Sequence, residues 1–366
     1  MIENGKISAR QFMYLVILFT IGSSILIVPS PLVGGAKQDA WIAGLFSVGV
    51  GLLVVRLYHA IETNMPNKTF VQISEAIFGR WFGKFLAFLF FSFTFLLAAL
   101  VLRNIGDFMT TQILPETPLQ YTHLLFLFVA IFGVKLGLEV IGRASELFLP
   151  WVIFLLLFLF VSLTPKFKPE NLQPVFEFGF KPIISTSLPF IGSPFLELVV
   201  MLMLFPYVNN VKEAKKGFYL GTLIGGVILT AITLLSIIVI GTDLSALNAY
   251  PSYVLGKKIE IAGFLEGVEI IVAVIWMITI YFKLAVLLYA SALGIAQIIE
   301  LNDYKPLLYP LGMIMVVLSI ISYPNVAYFQ EFIGEIWYLF AATFGLFLPF
   351  IYWIGSAVKK RREKKA

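Results

Sequence analysis

The sequence predicts an all-α polytopic membrane protein of about ten transmembrane helices, arranged as two inverted halves of five in which helices 1 and 6 are broken. Three observations carry this. Hydrophobic residues make up 60% of the 366-residue chain and charged residues only 13%, a balance foreign to water-soluble domains. Apolar runs repeatedly exceed the roughly 18 residues that mark a bilayer-crossing helix. The tripeptide Ile-Gly-Ser also recurs half a chain apart, as Ile21-Gly22-Ser23 and as Ile191-Gly192-Ser193. Each copy sits in the opening helix of a half. Glycine and proline at mid-membrane free backbone groups that lipid cannot satisfy, so such breaks face protein or a watery cavity. Paired interruptions at corresponding places point to a central binding site.

The expected spans run roughly over 8–32, 39–61, 81–113, 118–136, 141–164, 184–208, 216–241, 264–298, 306–323 and 330–356. Helix 1 carries the first break, Gly22-Ser23-Ser24, and runs on to Pro29. Helix 2 contains Gly49-x-Gly51 and helix 7 contains Gly221-x-x-x-Gly225; both spacings read as close-packing faces, and the first lacks the strand context of a nucleotide loop. Helix 3 carries Ser92, Thr94 and the i, i+4 pair Arg103 and Asp107, which reads as a local ion pair. Helix 6 holds the second break and, just past it, Glu197. Between helices 2 and 3, residues 64–79 read as a short amphipathic helix with Phe70, Ile73, Ile77 and Phe78 on one side and Glu75 opposite. Residues 242–262 contain Tyr250-Pro251-Ser252 and read as a loop with a short helix able to act as a lid. Both segments are equally compatible with a purely interfacial role.

Ten spans return both termini to one side. Lys6, Arg10, Arg56, Lys68, Arg80, Lys84, Lys135, Arg143, Lys212, Lys215, Lys216, Lys305 and the tail from Lys359 to Arg362 then fall inside. Outside are Lys37, Lys166, Lys168, Lys181, Lys257 and Lys258, with Arg103 near the outer end of helix 3. This is the positive-inside asymmetry. The chain reads as one transmembrane domain over 1–366, with repeat 1 at about 8–164 and repeat 2 at about 184–356, joined by an outer loop over 165–186. Five spans per half make the second half enter the membrane from the opposite side, hence the inverted topology.

Several function classes fall away. The apolar run from Phe12 is too long for a signal-peptide core. The chain has no cysteine, which removes disulfides, thiolate metal sites and lipoprotein attachment. His59 and His123 are the only histidines and lie on different helices without a carboxylate cluster, so no metal, cofactor or enzymatic chemistry is expected. The net charge of +5 reports orientation rather than a nucleic-acid partner.

The residues that carry chemistry lie around the two breaks. Gly22, Ser23 and Ser24 could open backbone amides at the start of a second half-helix, where its positive dipole end receives a carboxylate. Their alternative is small-residue packing. Phe190, Gly192 and Ser193, with Pro194, make the matching break. Thr94 on helix 3 and Thr279 on helix 8 are further candidates for the cavity wall, although a threonine such as Thr94 can also bond back one turn. Lys283 lies mid-span in helix 8, where an unpaired ammonium is costly and therefore a functional candidate; its alternative is snorkelling to the inner surface. Glu197 reads as a lining or proton-accepting group, or as the partner of a basic residue such as Lys283.

Ile21-Gly22-Ser23-Ser24-Ile25, ending at Pro29, resembles the interrupted first helix of the amino acid–polyamine–organocation transporter superfamily, whose fold is LeuT-like. More narrowly, nearly the whole chain resembles the GerAB-like spore-permease family, the B subunits of spore germinant receptors. Ile7-Ser8-Ala9-Arg10-Gln11, Trp41, Asn171-Leu172-Gln173-Pro174, Phe205-Pro206 and Tyr250-Pro251-Ser252 carry the match, with Phe264 to Glu269, Trp276, Phe282-Lys283-Leu284 and Tyr289-Ala290. At Gly267 the family commonly has arginine. In sodium-coupled members of the superfamily helices 1 and 8 hold a sodium ion, and the resemblance implies that Lys283 supplies a fixed positive charge there instead.

The resemblance further implies a germinant-receptor subunit in the spore inner membrane with both termini on the core side. It would recognise a small nutrient, an amino acid above all, and trigger germination beside an A-type membrane subunit and a C-type lipoprotein. Membrane lipid and the nutrient are the other expected partners. A proton-coupled amino-acid permease, or a subunit with a degenerate cavity, would share the same fold.

Overall fold

Among the described spans helix 1 is the most buried, and it packs against helices 5, 7 and 8. The computed structural model describes residues 3, 5–261, 265, 266 and 268–363; Phe264 and Gly267, within the motif before helix 8, lie outside them. Among the described residues nine helices are long and apolar enough to cross a membrane, and a shorter apolar helix spans Lys305–Ile321. That short helix is the expected helix 9, so the ten-span reading and the all-α class both hold.

Helix 1 starts at Ala9 because Ser8 and Gln11 form a capping box. The Gln11 amide donates to Ser8 Oγ at 3.1 Å and the Ser8 amide to Gln11 Oε1 at 2.9 Å, so two orphan donors are satisfied reciprocally. The helix runs over Ala9–Ile21, breaks, and resumes over Ser24–Ile27 and Pro29–Ala36. Leu15 to Ile21 are buried without exception. Helix 7, Val211–Ile240, packs closely on it. A Cβ at Gly221 would lie 2.8 Å from Val16 Cβ, and one at Gly225 would lie 2.7 Å from Thr20 Cβ. The small-residue spacing is thus a packing face, as small residues are in membrane bundles.

Helices 2 to 5 cover Ala40–Asn64, Arg80–Phe108, Leu119–Leu136 and Leu138–Leu163. Between helices 2 and 3 the amphipathic segment forms a helix over Phe70–Phe78, again with a capping box, Thr69 and Gln72. Phe70 and Ile73 are buried, while Ile77, Phe78 and Glu75 are half-buried. Helix 6 begins at Phe180 rather than 184, continues to Phe190, opens into a wide turn over Ile191–Phe195 and tightens over Leu196–Met203.

Helix 8 spans Ile270–Ile298, starting later than the expected 264 because Leu265–Glu266 pair antiparallel with Glu260–Ile261. Helix 10 starts at Val326, is widened at Ile333–Trp337 and Thr343–Phe347, and runs on to Glu363. Wide turns of this kind are rare inside helices and frequent at functional sites.

Candidate functional site

The first break is built by one residue, Gly22. Its backbone lies at φ +21°, where side chains are strained, and a Cβ there would meet Lys283 Cδ at 2.6 Å and the Phe19 carbonyl oxygen at 2.7 Å. Glycine alone lets helix 8 come this close. The Gly22 amide still donates to Leu18 at 2.9 Å, and its carbonyl, freed from the helix, accepts from Thr279 Oγ1 at 3.4 Å. The helix that resumes at Ser24 continues smoothly through Val28 into Pro29–Ala36. Its first amides point back into the break with the positive end of the helix dipole behind them.

The second break is carried by Ser193, at φ −130° and ψ 111° within the wide turn. Gly192 serves a different neighbour from Gly22: a Cβ there would meet Tyr338 Cβ of helix 10 at 2.6 Å. Phe190 packs its ring on Phe195 at 5.3 Å.

One hydrogen-bonded centre joins the two breaks. Lys283 Nζ donates to Glu197 Oε2 at 2.6 Å and to Ser23 Oγ at 3.0 Å, and Trp337 Nε1 donates to Glu197 Oε1 at 2.9 Å. The Phe19 ring lies 5.2 Å from the ammonium. Helices 1, 6, 8 and 10 each contribute one polar group. The side chains of Lys283 and Glu197 are 0% and 2% exposed, so Lys283 does not snorkel. Of the two expected readings of Glu197, the contact with Lys283 is the one seen in this geometry. Burial of both charges is tolerable only because each carboxylate oxygen has a donor and the ammonium has two acceptors.

Not every expected residue joins the centre. The Thr94 hydroxyl bonds back to the Phe90 carbonyl at 3.0 Å, and Ser92 to Phe88 at 2.9 Å. Both follow the local habit of helical Ser and Thr. Helix 3 reaches the centre instead through Phe93, stacked on Trp337 at 5.9 Å. Ser24 Oγ and Trp276 Nε1 are buried with no hydrogen-bond partner. Buried polar groups are mostly satisfied, so these two stand as unused polar groups in the core.

Two sets of contacts lie on either side of the breaks. On one side the short helices Thr242–Leu247 and Pro251–Lys257 are tied to helix 1. Ser252 Oγ donates to the Ile25 carbonyl at 2.6 Å, and Ser30 Oγ to Ala246 at 3.0 Å. Beneath them a void of about 10 Å³, lined by Leu26, Asp107, Tyr250, Trp276 and Phe329, has room for one water at most. Asp107 accepts from Arg103 at 2.9 Å and from Tyr323 at 2.7 Å, while Arg103 also donates to the Ile320 carbonyl at 2.8 Å. The expected local pair therefore also ties helix 3 to the end of helix 9. On the opposite side Ile7 exchanges backbone bonds of 2.9 Å with Tyr207 and Asn209. Glu3 there accepts from Tyr304 at 3.2 Å and Tyr289 at 3.3 Å. Burial, with the Glu3 charge second, pushes the Tyr207 phenol up to about 12; a dry setting and a neighbouring anion both resist ionisation.

Sequence reasoning missed Trp337, because one indole in an apolar helix gives no periodic signal. It also missed the Glu3 latch, which precedes the first span.

Comparison with known proteins gives the family and the fold. The family model described as spore germination protein matches residues 6–327. Spore germination protein KB of Bacillus subtilis is 30% identical, covering 100% of this chain and 98% of that protein. Spore germination protein A2 of the same organism is 26% identical over 98% of each chain. Spore germination protein GerQB of Bacillus cereus is 23% identical, again over 98% of each. Among solved structures, a nucleobase-cation-symport-1 family transporter in a closed conformation with bromovinylhydantoin bound superposes with a TM-score of 0.69 at 11% identity, covering 90% of this chain and 75% of that one. At that identity the likeness shows the fold, the inverted-repeat transporter architecture, and nothing of the ligand.

Proposed function

The chain belongs to the spore germination protein family, and from that premise we propose that it is a germinant-receptor subunit that recognises a small nutrient, an amino acid, between the breaks of helices 1 and 6. The observation that supports this best is the buried Ser23–Lys283–Glu197–Trp337 centre. It links the four helices whose relative positions a ligand at the breaks would bias. A ligand carboxylate would sit on the first amides of the resumed helix and on Ser24 Oγ, and Trp276 Nε1 would take a second acceptor. The apolar wall would take the side chain. The wider candidate set is Gly22, Ser23, Ser24, Thr94, Phe190, Gly192, Ser193 and Thr279 for the nutrient, and Lys283 with Glu197 for coupling.

Binding would release the lid and the Glu3 latch unequally, and pass that bias to an A-type membrane subunit and a C-type lipoprotein. The protein would lie in the spore inner membrane with both termini on the core side, as the charge asymmetry suggests. One observation favours a second reading, a proton-coupled amino-acid permease: a carboxylate paired with an ammonium at mid-membrane is the kind of group that proton-driven carriers titrate. Purified protein in liposomes separates the two. The receptor reading expects amino-acid binding without accumulation under an imposed proton gradient. Concentrative, gradient-driven uptake by this chain alone would overturn it in favour of the permease.

A further inference from the structure

The side that the charge asymmetry assigns to the outside carries few cations: Lys37, Lys166, Lys168, Lys181, Lys257 and Lys258. Lys166, Lys168, Lys257 and Lys258 all line a single pocket of about 540 Å³. They come from two segments distant in sequence, the stretch after helix 5 and the end of the lid helix Pro251–Lys257. Scattered outer lysines would be unremarked; their convergence on one concavity is the observation.

The pocket is built rather than incidental. The Lys168 amide donates to the Ile238 carbonyl at 3.1 Å. Asn171 Nδ2 donates to the carbonyls of Ile237 and Ile238 at 3.1 and 3.2 Å. These bonds pin the strand of chain bearing Lys168 to the last turn of helix 7. On the other wall, Lys257 Nζ lies 5.0 Å from the Tyr253 ring centroid. The lysine side chains at 168, 257 and 258 are exposed. Between them the described lining residues are apolar: Pro165, Phe167, Val239 and Ile259.

We infer that this pocket binds the phosphate of an anionic phospholipid. A rim of ammonium groups around an apolar lining matches a phosphate joined to a glycerol backbone and the start of an acyl chain. Depth selects lipid over free phosphate. Val239 belongs to the final turn of one spanning segment, and Lys166 is the last residue of another, which places the pocket at headgroup level. Because Lys257 and Lys258 end the lid helix, a bound headgroup ties the lid to the bilayer on that side. This inference stands apart from the nutrient site and does not depend on it.

The test is native mass spectrometry of the purified full chain with equimolar phosphatidylglycerol and phosphatidylcholine. Three proteins are compared: the native chain, the triple variant Lys168→Gln, Lys257→Gln, Lys258→Gln, and the control Lys37→Gln, Lys181→Gln. All five positions are exposed or half-exposed on the surface, so folding should survive, and unchanged thermal unfolding verifies it. The native chain should retain phosphatidylglycerol over phosphatidylcholine, with affinity falling about 100-fold in the triple variant and unchanged in the control. Equal retention by native and triple proteins would overturn the inference, as would an equal loss in the control, which would mean diffuse surface charge. Binding of inorganic phosphate with no preference between the two lipids would overturn the lipid assignment.

Discussion

Removing the Lys283 ammonium alone should destabilise the protein severely, and removing both charges of its pair should not. Lys283 and Glu197 are in contact at 2.6 Å with side chains 0% and 2% exposed. In Lys283→Met the carboxylate keeps only the Trp337 indole, at 2.9 Å, and Ser23 loses its donor. Breaking a fully buried pair from one side costs about 3–5 kcal/mol, since an uncompensated charge remains in a dry interior. In Lys283→Met with Glu197→Gln no charge is left, the amide oxygen still accepts from Trp337, and the volume is nearly kept. Such neutral replacements are often close to neutral in stability, so most of the loss should return.

The assay is thermal unfolding in detergent, read as the fraction still monodisperse, for the native, single and double variants. Spores carrying each variant report the response. The double variant should be stable yet respond weakly, because the link among helices 1, 6 and 8 is gone. A single variant as stable as the native protein would refute the buried pair. A double variant as unstable as the single would show that packing, not charge, holds the centre.

Gly22→Val and Gly192→Val should each abolish the nutrient response while leaving membrane insertion intact, since the added Cβ would lie 2.6 Å from Lys283 Cδ and 2.6 Å from Tyr338 Cβ respectively; germination at native protein levels checks this. Nutrient binding should be indifferent to replacing sodium by choline, because a fixed ammonium beside the helix 1 break repels a second cation where little water screens it. Isothermal titration in the two salts decides it, and strict sodium dependence would remove that role from Lys283. Trp337→Phe keeps the stacking on Phe93 but deletes a hydrogen bond to a charged acceptor, and should cost about 1.5–3 kcal/mol in unfolding measurements.

The fold was legible because lipid allows few solutions: long apolar runs must be helices, and lysine and arginine asymmetry orders them. Both breaks were legible for the same reason, since Gly22 and the Ser193–Pro194 region disrupt otherwise continuous runs. Lys283 stood out as a charge at depth, and its pairing with Glu197 was one of two open readings until the breaks brought helices 6 and 8 together. What sequence could not give were contacts without periodicity. Trp337 reaches Glu197 only because helix 10 widens at Ile333–Trp337. Thr94 shows the limit from the other side: a polar residue in an apolar helix signals a cavity or a local back-bond alike, and its hydroxyl bonds the Phe90 carbonyl.

The central claim, a nutrient seated at the helix 1 break, is tested most directly at Ser24. This residue is fully buried and its hydroxyl has no partner. The chain contains no cysteine, so Ser24→Cys introduces a single thiol of almost the same shape. Its labelling by a small methanethiosulfonate reagent is followed in native membranes with each of the protein amino acids in turn, beside Lys181→Cys as an exposed control. The account predicts that at least one amino acid slows labelling at position 24 and leaves position 181 unchanged, with the same amino acid triggering germination of the native spores. Germination by an amino acid that leaves the Ser24→Cys rate untouched, in a variant that still responds to it, would contradict the account.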